Sequence, residues 1–465
     1  MGHTMSLLTL LFSGLGWAGL VSPRRHTAPI SVALACEQPS GGDQSVQTLT
    51  SPRPRTWLDR LWTSIADRGR DYAAVPPASI PPGERARRLA ADLLSGLGEA
   101  SGAARARDLL AVLDGLSDAE RLTFCLDLAE AYQPDPTRLR AAAEAYLADP
   151  SAAHSAALAE AAEPPRQELL RRMNQAPGGT AALVALRQKL LAALRASPAL
   201  KPLDNDLRHL FASWFNRGFL ELRRIDWNTP ASVLERLIQY EAVHEIQGWD
   251  DLRRRLAPDR RCFAFFHPAL PDDPLIFVEV ALVQGLAGAI APLLAPDLGA
   301  PEDADTAIFY SISNCQDGLR GISFGNFLIK QVVEELKLEL PQLQVFSTLS
   351  PMPGFRRWVE KRADAPADPA GCEAETVRLA ALYLTNPGAR AADPVARFHL
   401  GNGARLERIN WMGNPAPRGM RESFGVMVNY LYDPDTIEEN HEAYARAGVV
   451  VRSAAVAALV PPKPS

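Results

Sequence analysis

The residues of this chain that are best suited to proton transfer are Ser350 and His399. Ser350 begins a proline-rich segment that ends at Gly354, and His399 stands just ahead of a Gly-Asn-Gly sequence. A serine hydroxyl fixed at the end of a strand can meet the reactive end of a ligand, and a histidine exchanges protons near neutral pH. Both residues also allow a structural interpretation, Ser350 as a turn serine and His399 as a buried core residue. Ser350 is not part of a Gly-x-Ser-x-Gly turn, so hydrolase chemistry of that type is disfavoured.

A glycine-bearing turn earlier in the chain is suited to bind a pyrophosphate. The apolar strand Ala307–Tyr310 leads through this turn into an amphipathic helix, whose free amides and positive dipole end would face a bound anion. Glycine lets the backbone approach a ligand closely, and an arginine adds positive charge. The expected binding turn consists of Arg320, Gly321, Ile322, Ser323, Phe324, Gly325 and Asn326. Combined with the fixed hydroxyl of Ser350, this turn predicts an enzyme that acts on an acyl-CoA.

Several polar residues in otherwise apolar segments are candidate hydrogen-bond donors to a developing oxyanion. They are Asn402, Asn410, Asn429 and Tyr430. The alternative is that these side chains satisfy buried backbone groups, which is the usual role of a buried amide.

The elements that must position these residues fall into two regions, because 465 residues exceed one ordinary core. From about Pro81 to Trp214 alanine, leucine, arginine and glutamate dominate, which predicts helices throughout. Ser117 and Glu120 form a capping box at the start of one of them. We expect residues 55–216 to be a helical bundle that serves as a scaffold or for self-association, and residues 217–465 to be the catalytic domain.

The second region reads as an α+β fold with one mixed sheet, because a run of strands precedes a strand–helix–strand unit. The predicted helices are Phe324–Leu340 and Thr436–Ala447. The predicted strands and short extended pieces are Cys262–Phe266, Leu275–Val283, Thr306–Ser313, Gln344–Thr348, Ala396–Leu400, Leu406–Trp411 and Val426–Tyr432.

Composition and charge exclude several function classes. The net charge of −5 gives no broad basic field, so no nucleic-acid partner is expected. The five cysteines are widely spaced without a Cys-x-x-Cys pair, and the eight histidines lack metal-ligand spacing, so no metal site is expected. Cysteines of this kind are typical of small core residues in a reducing compartment.

The first 54 residues are expected to be an extension outside the fold. The apolar run Ser6–Val21 lacks the preceding positive charge of a secretory signal and is short for a membrane span. We therefore predict a cytoplasmic protein without a membrane partner. An organellar or export leader is the alternative, and a membrane anchor is less favoured.

Several motifs occur in the same order as in malonyl-CoA decarboxylases, and the chain resembles that family from about Leu210 to Val451. The motifs of that family found here are F-Y-S-I-S at Phe309–Ser313, G-x-F-L-I-K at Gly325–Lys330, S-x-L-S-P-x-P-G-F at Ser347–Phe355, F-H-L-x-N-G-A at Phe398–Ala404, R-I-N-W-M at Arg408–Met412 and G-x-M-x-N-Y at Gly425–Tyr430. The resemblance implies an N-terminal all-α helical domain and a C-terminal acetyltransferase-like (GNAT) domain. It also implies that Ser350 and His399 are catalytic and that Arg320–Asn326 bind malonyl-CoA, the substrate.

The reaction that this resemblance implies converts malonyl-CoA to acetyl-CoA and CO2 and belongs to fatty acid metabolism. Loss of CO2 leaves a thioester enolate, and no cofactor is needed because the thioester carbonyl is itself the electron sink. We hypothesise that Ser350 orients the malonyl group or accepts its proton, and that His399 protonates the enolate. Two alternatives stay open, an acyl-CoA-dependent N-acetyltransferase and a non-catalytic acyl-CoA sensor. The helical region suggests a homo-oligomer of unspecified size.

Overall fold

The structure is a computed structural model that describes residues 57–69, 79–95, 98–241, 243–296, 299–322, 328–385 and 393–460. These residues belong to one compact unit, Arg55–Ser465. None of the helices in these ranges combines the length and the apolar character needed to cross a bilayer.

The first region is helical, as predicted. Its helices are α1 Trp57–Gly69, α2 Pro82–Leu93, α3 Glu99–Asp114, α4 Asp118–Ala131, α5 Pro136–Ala148, α6 Ala152–Ala162, α7 Pro165–Asn174, α8 Gly179–Ala193 and α9 Lys201–Trp214. The predicted capping box is present at α4, where Ser117 accepts a hydrogen bond from the Glu120 amide and Glu120 accepts one from the Ser117 amide. Proline occupies the first helical turn of α2, α5 and α7, where its missing N–H costs nothing.

The second region is built around one mixed sheet. Its strands are β1 Glu221–Ile225, β2 Arg260–Phe266, β3 Ile276–Val283, β4 Thr306–Asn314, β5 Val345–Thr348, β6 Ser350–Pro351, β7 Arg405–Asn410 and β8 Met427–Leu431. The order is β1-β2-β3-β4-β5-β8-β6, with β7 pairing β8. Only β4 and β5 pair in parallel among the described strands. The predicted α+β class with a helical N-terminal region is therefore confirmed.

Helices cover both faces of this sheet. The helices of this region are α10 Ala231–Tyr240, α11 Trp249–Arg255, α12 Ala291–Leu294, α13 Leu328–Glu339, α14 Phe355–Val359, α15 Glu373–Thr385, α16 Pro394–Gly401, α17 Pro417–Ser423, α18 Ile437–Ala447 and α19 Ala454–Ala458. Successive side chains of β2 alternate between two cores, since Phe263 packs with residues of α13 and Cys262 packs with residues of α10 and α11.

The two parallel strands separate next to the candidate site. Their pairing runs from Thr306 opposite Val345 to Phe309 opposite Thr348 and then stops. β4 continues to Asn314, whereas the chain beyond β5 turns to pair Ser350 with Val428 of β8. The two strands therefore diverge next to Ser350. β4, α13 and β5 follow one another in the strand–helix–strand order expected of an acetyltransferase-like domain.

One predicted element is wrong. The segment Ala396–Leu400, predicted as an extended piece, lies within helix α16. Asp393 caps this helix by accepting hydrogen bonds from the amides of Val395 and Ala396, both at 3.0 Å, and Pro394 occupies the first helical position. Because an aspartate followed by proline is a strong helix start, the local capping signal outweighs the short apolar pattern.

Candidate active site

Ser350 and His399 lie in contact in the interior of the second region. The Ser350 Oγ is 3.0 Å from His399 Nε2, and the two residues are 5% and 3% exposed. The Ser350 hydroxyl donates a hydrogen bond of 2.9 Å to Thr348 Oγ1, which also accepts one from the Tyr430 amide. The structure thus brings together the two side chains that the sequence singled out for proton transfer.

Asp393 links the backbone segments that carry these two side chains. One of its carboxylate oxygens caps α16, the helix that bears His399. The other accepts hydrogen bonds from the Gly354 amide at 3.4 Å and from the Tyr383 hydroxyl at 3.2 Å. Gly354 ends the proline-rich segment that starts at Ser350, so one carboxylate fixes the helix and the segment relative to each other.

The second ring nitrogen of His399 is held by a phenol. The Tyr432 hydroxyl lies 2.7 Å from His399 Nδ1, and the Tyr430 ring stacks on the imidazole with centroids 4.7 Å apart. Burial lowers the pKa of His399 to about 3, so the ring is neutral at physiological pH. Burial also raises the pKa of Tyr432 well above its ordinary value, so the phenol keeps its proton.

These contacts favour one tautomer of the neutral imidazole. Because the Ser350 hydroxyl donates to Thr348, a lone pair of Ser350 Oγ faces His399 Nε2 and accepts from Nε2–H. Nδ1 is then unprotonated and accepts from the Tyr432 hydroxyl. The resting site therefore presents an imidazole N–H beside a serine oxygen, which differs from the serine-to-imidazole donation of hydrolase triads.

The described part of the candidate CoA-binding turn follows β4 through a short 3₁₀ turn, Asp317–Leu319. Arg320 is exposed, Gly321 has a φ of 80°, and Ile322 is half-buried against the core. A positive φ favours glycine, which explains that residue in the turn. The predicted binding residues Ser323, Phe324, Gly325 and Asn326, together with the predicted start of the following helix, lie outside the described residues.

Three of the four candidate oxyanion donors are already committed to other partners. The side-chain amides of Asn402, Asn410 and Asn429 donate to Phe398 O, to Asn429 Oδ1, and to the carbonyls of Ala287 and Thr348, respectively. These contacts favour a structural role for the three amides, which is the alternative that the sequence left open. The Tyr430 hydroxyl is buried and lacks a hydrogen-bond partner among the described residues, so it remains a candidate donor.

The sequence did not identify Thr348 and Tyr432, the hydrogen-bond partners of Ser350 and His399. A signal for both was present in the alternation of side chains along a strand. Thr348 lies two residues before Ser350, and Tyr432 lies two residues after Tyr430, so each shares a face with a residue already singled out.

Within the ranges that the structure describes, no group of three His, Cys, Asp or Glu side chains could hold a metal ion.

Comparisons with known proteins agree with this architecture. The chain matches the family model "Malonyl-CoA decarboxylase C-terminal domain" over residues 218–383 and 367–465, and the corresponding N-terminal domain model over residues 132–215. Crystal structures of malonyl-CoA decarboxylases from Rhodopseudomonas palustris and Agrobacterium vitis each superpose with a TM-score of 0.76 at 51% identity. Each covers 80% of this chain and 98% or 99% of the other.

Curated relatives from animals are more distant. The mitochondrial malonyl-CoA decarboxylase of Anser anser anser is 37% identical over 330 residues, which are 59% of this chain and 65% of that protein. The enzyme of the same name from Rattus norvegicus is 34% identical over 345 residues, 63% of this chain and 70% of that protein. The chain thus spans just under two thirds of the length of the goose relative. With both family models matched in order, the chain belongs to the malonyl-CoA decarboxylase family.

Proposed function

We propose that this protein decarboxylates malonyl-CoA to acetyl-CoA and CO2, with Ser350 and His399 as the catalytic residues. The observation that carries the proposal is the buried contact of 3.0 Å between Ser350 Oγ and His399 Nε2, at the point where β4 and β5 separate. Family membership supports malonyl-CoA as the substrate.

The chemistry assigns a task to each group. When the bond between the methylene carbon and the carboxylate breaks, its electron pair enters the thioester and CO2 leaves. Ser350 orients the malonyl group. His399 Nε2–H supplies a proton to the carbon of the enolate while Nδ1 takes the proton of the Tyr432 hydroxyl, so that no negative charge is left on the imidazole. The proton that His399 gives is replaced from solvent, so the reaction consumes one proton for each malonyl-CoA. A buried site favours this step because fixed dipoles stabilise charge more strongly where water is excluded.

The hydroxyl of Tyr430 is our candidate for hydrogen bonding to the enolate oxygen. It is buried without a partner among the described residues, and its ring stacks on His399. A preorganised donor of this kind contributes roughly 3 kcal/mol to the stabilisation of an oxyanion. We expect Tyr430→Phe, which keeps the ring and removes the hydroxyl, to lower kcat by at least about 10-fold. An unchanged kcat would show that the hydroxyl is not used.

The turn that starts at Arg320 is proposed to bind the CoA pyrophosphate. Its support is the order strand, glycine turn and helix, together with an exposed guanidinium group and a positive φ at Gly321. Arg320→Ala should raise the Kd for CoA and leave the chemical step less affected, because the guanidinium group would contact phosphate and not the acyl group. An unchanged Kd for CoA would remove this role.

Product analysis tests the proposed function. Purified protein is incubated with malonyl-CoA without added metal or amine, and acetyl-CoA and CO2 are both quantified. Equal amounts of the two products are expected. Bound but unchanged malonyl-CoA would contradict the proposal and indicate a sensor, and free CoA formed only when an amine is added would indicate an acyltransferase.

Self-association through the helical region is a separate proposal. In a single copy of the chain α5 buries none of its residues, and Leu147 near its end is 78% exposed. We propose that the α5–α6 hairpin contacts a second copy. Leu147→Glu should lower the mass measured by light scattering, whereas the same mass as wild type would exclude this surface.

The proposed location is the cytoplasm. Cys125, Cys262, Cys315 and Cys372 are free thiols, which suits a reducing compartment. The names of the goose and rat relatives place those proteins in mitochondria. Fractionation of cells that express the full chain distinguishes the two locations.

A further inference from the structure

A buried arginine of the helical region reaches the start of the candidate CoA-binding turn. Arg187 on α8 is 1% exposed, and its Nη1 donates hydrogen bonds to the carbonyls of Gly318 at 2.7 Å and Arg320 at 3.0 Å. Its Nε donates to Asp204 of α9 at 2.8 Å, so the buried charge is paired within the helical region. One guanidinium group therefore joins two helices to the turn.

The backbone of α8 also touches this turn directly. A side-chain carbon added at Gly318 would lie 2.0 Å from the carbonyl oxygen of Val184, a separation that no side chain can adopt. The turn is thus packed against α8 so closely that only glycine fits at this position. Close packing and the two hydrogen bonds from Arg187 are independent observations that the helical region fixes this stretch of backbone.

We propose that Arg187 is a positioning residue that holds the backbone of Gly318–Arg320 in the geometry required for CoA binding. This inference rests on the proposed function, because it assigns Arg187 to the binding of that substrate. A guanidinium group suits the task because its planar fork reaches the two carbonyls and the carboxylate at once, whereas a lysine ammonium is a point charge on a flexible stem. The helical region then contributes to substrate affinity in addition to serving as a scaffold.

The chain offers a matched control. Arg166 on α7 is also buried, pairs with Asp206 of α9, and donates to the carbonyls of Ala129 and Tyr132. These carbonyls belong to the end of α4, so Arg166 has the same kind of environment without contact to the turn. Arg187→Lys and Arg166→Lys both keep the positive charge and both lose the planar guanidinium group with its several N–H donors.

The test compares the two variants in the full chain, with free CoA as the probe in calorimetry and malonyl-CoA as the substrate in kinetics. Arg187→Lys should raise the Kd for CoA and the KM for malonyl-CoA about 10-fold, with kcat within about 3-fold of wild type, because pre-organisation is lost while the reacting groups stay in place. Arg166→Lys should leave the Kd for CoA unchanged. A folded Arg187→Lys protein that binds CoA like wild type would overturn the inference.

A measurement on the wild-type chain covers the case in which Arg187→Lys does not fold. Free CoA should slow hydrogen exchange in residues 317–322 and in α8 together, and slower exchange in the turn without any change in α8 would overturn the inference. The proposed function can fail without this inference. If the wild-type protein binds CoA but releases no CO2 from malonyl-CoA, the proposed function is wrong, whereas the comparison of the Kd values for CoA still tests the role of Arg187.

Discussion

His399 Nδ1 lies 2.7 Å from the hydroxyl of Tyr432, so a neutral phenol occupies the place where hydrolase triads put a carboxylate. A carboxylate would stabilise a charged imidazolium, whereas a phenol orients the ring and leaves it neutral. This difference suits a histidine that must present an N–H to an enolate. It also explains how a fully buried histidine is tolerated without a charged partner.

Removing the phenol hydroxyl tests this relationship. Tyr432→Phe keeps the ring that packs against Phe309 and deletes the partner of His399 Nδ1. We expect kcat to fall roughly 10-fold to 100-fold with little change in KM, because the imidazole loses its fixed tautomer and orientation. Steady-state kinetics on malonyl-CoA measures both constants. Tyr146→Phe on α5 is the control, and equal kcat values for the two variants would refute the role of Tyr432.

The link between α16 and the Ser350 segment predicts a second effect at Asp393. Asp393→Ala removes the helix cap and the acceptor of the Gly354 amide, so Ser350 and His399 lose their common support. We expect a loss of about 1–2 kcal/mol in the free energy of unfolding and a fall in kcat of at least about 10-fold.

Asp135 provides the matched control for that variant. It caps α5 in the same way, with Pro136 at the first helical position and the carboxylate accepting from the Thr137 amide. Asp135→Ala should destabilise the protein and leave kcat unchanged. If Asp393→Ala retained wild-type kcat, the positioning role of that carboxylate would be wrong.

The burial of neutral His399 predicts how stability depends on pH. Its pKa is about 3 in the folded protein against about 6.5 in the unfolded chain, so only the unfolded state takes up the proton as the pH falls below 6.5. The resulting loss of stability between pH 7 and pH 5 is about 2 kcal/mol and continues down to about pH 3. His399→Asn should lose about 2 kcal/mol less than wild type over that interval in denaturant titrations. Identical pH profiles would show that His399 is not buried neutral.

Most of the fold followed from local sequence signals. The capping box at Ser117, the apolar strand around Phe309 and the order of strand, helix and strand each depend on neighbouring residues, and the structure shows all of them. Ser350 and His399 were identified because their neighbours are unusual, and the structure places them in contact.

The structural features that the sequence did not predict depend on contacts between distant residues or on competing local signals. Arg187 reads as an ordinary helical residue until folding brings it to a carbonyl 131 residues away. The helix that carries His399 has a short apolar pattern that also fits a strand, and its start depends on the cap at Asp393. The side-chain alternation along the strand places Tyr432 on the same face as Tyr430, but its contact with His399 forms only when α16 packs against β8. The boundary between the helical domain and the catalytic domain, placed between residues 216 and 217, stays a prediction.

A double-mutant cycle on Ser350 and His399 tests the central claim most directly, namely that these two residues act as one catalytic pair. The values of kcat for malonyl-CoA decarboxylation are compared for wild type, Ser350→Ala, His399→Asn and the double variant, with CoA affinity measured in each. We predict that His399→Asn lowers kcat by at least about 100-fold with CoA binding intact, and that the double variant is about as slow as the slower single variant. Losses that multiply independently, or a near-normal kcat in His399→Asn, would contradict the account.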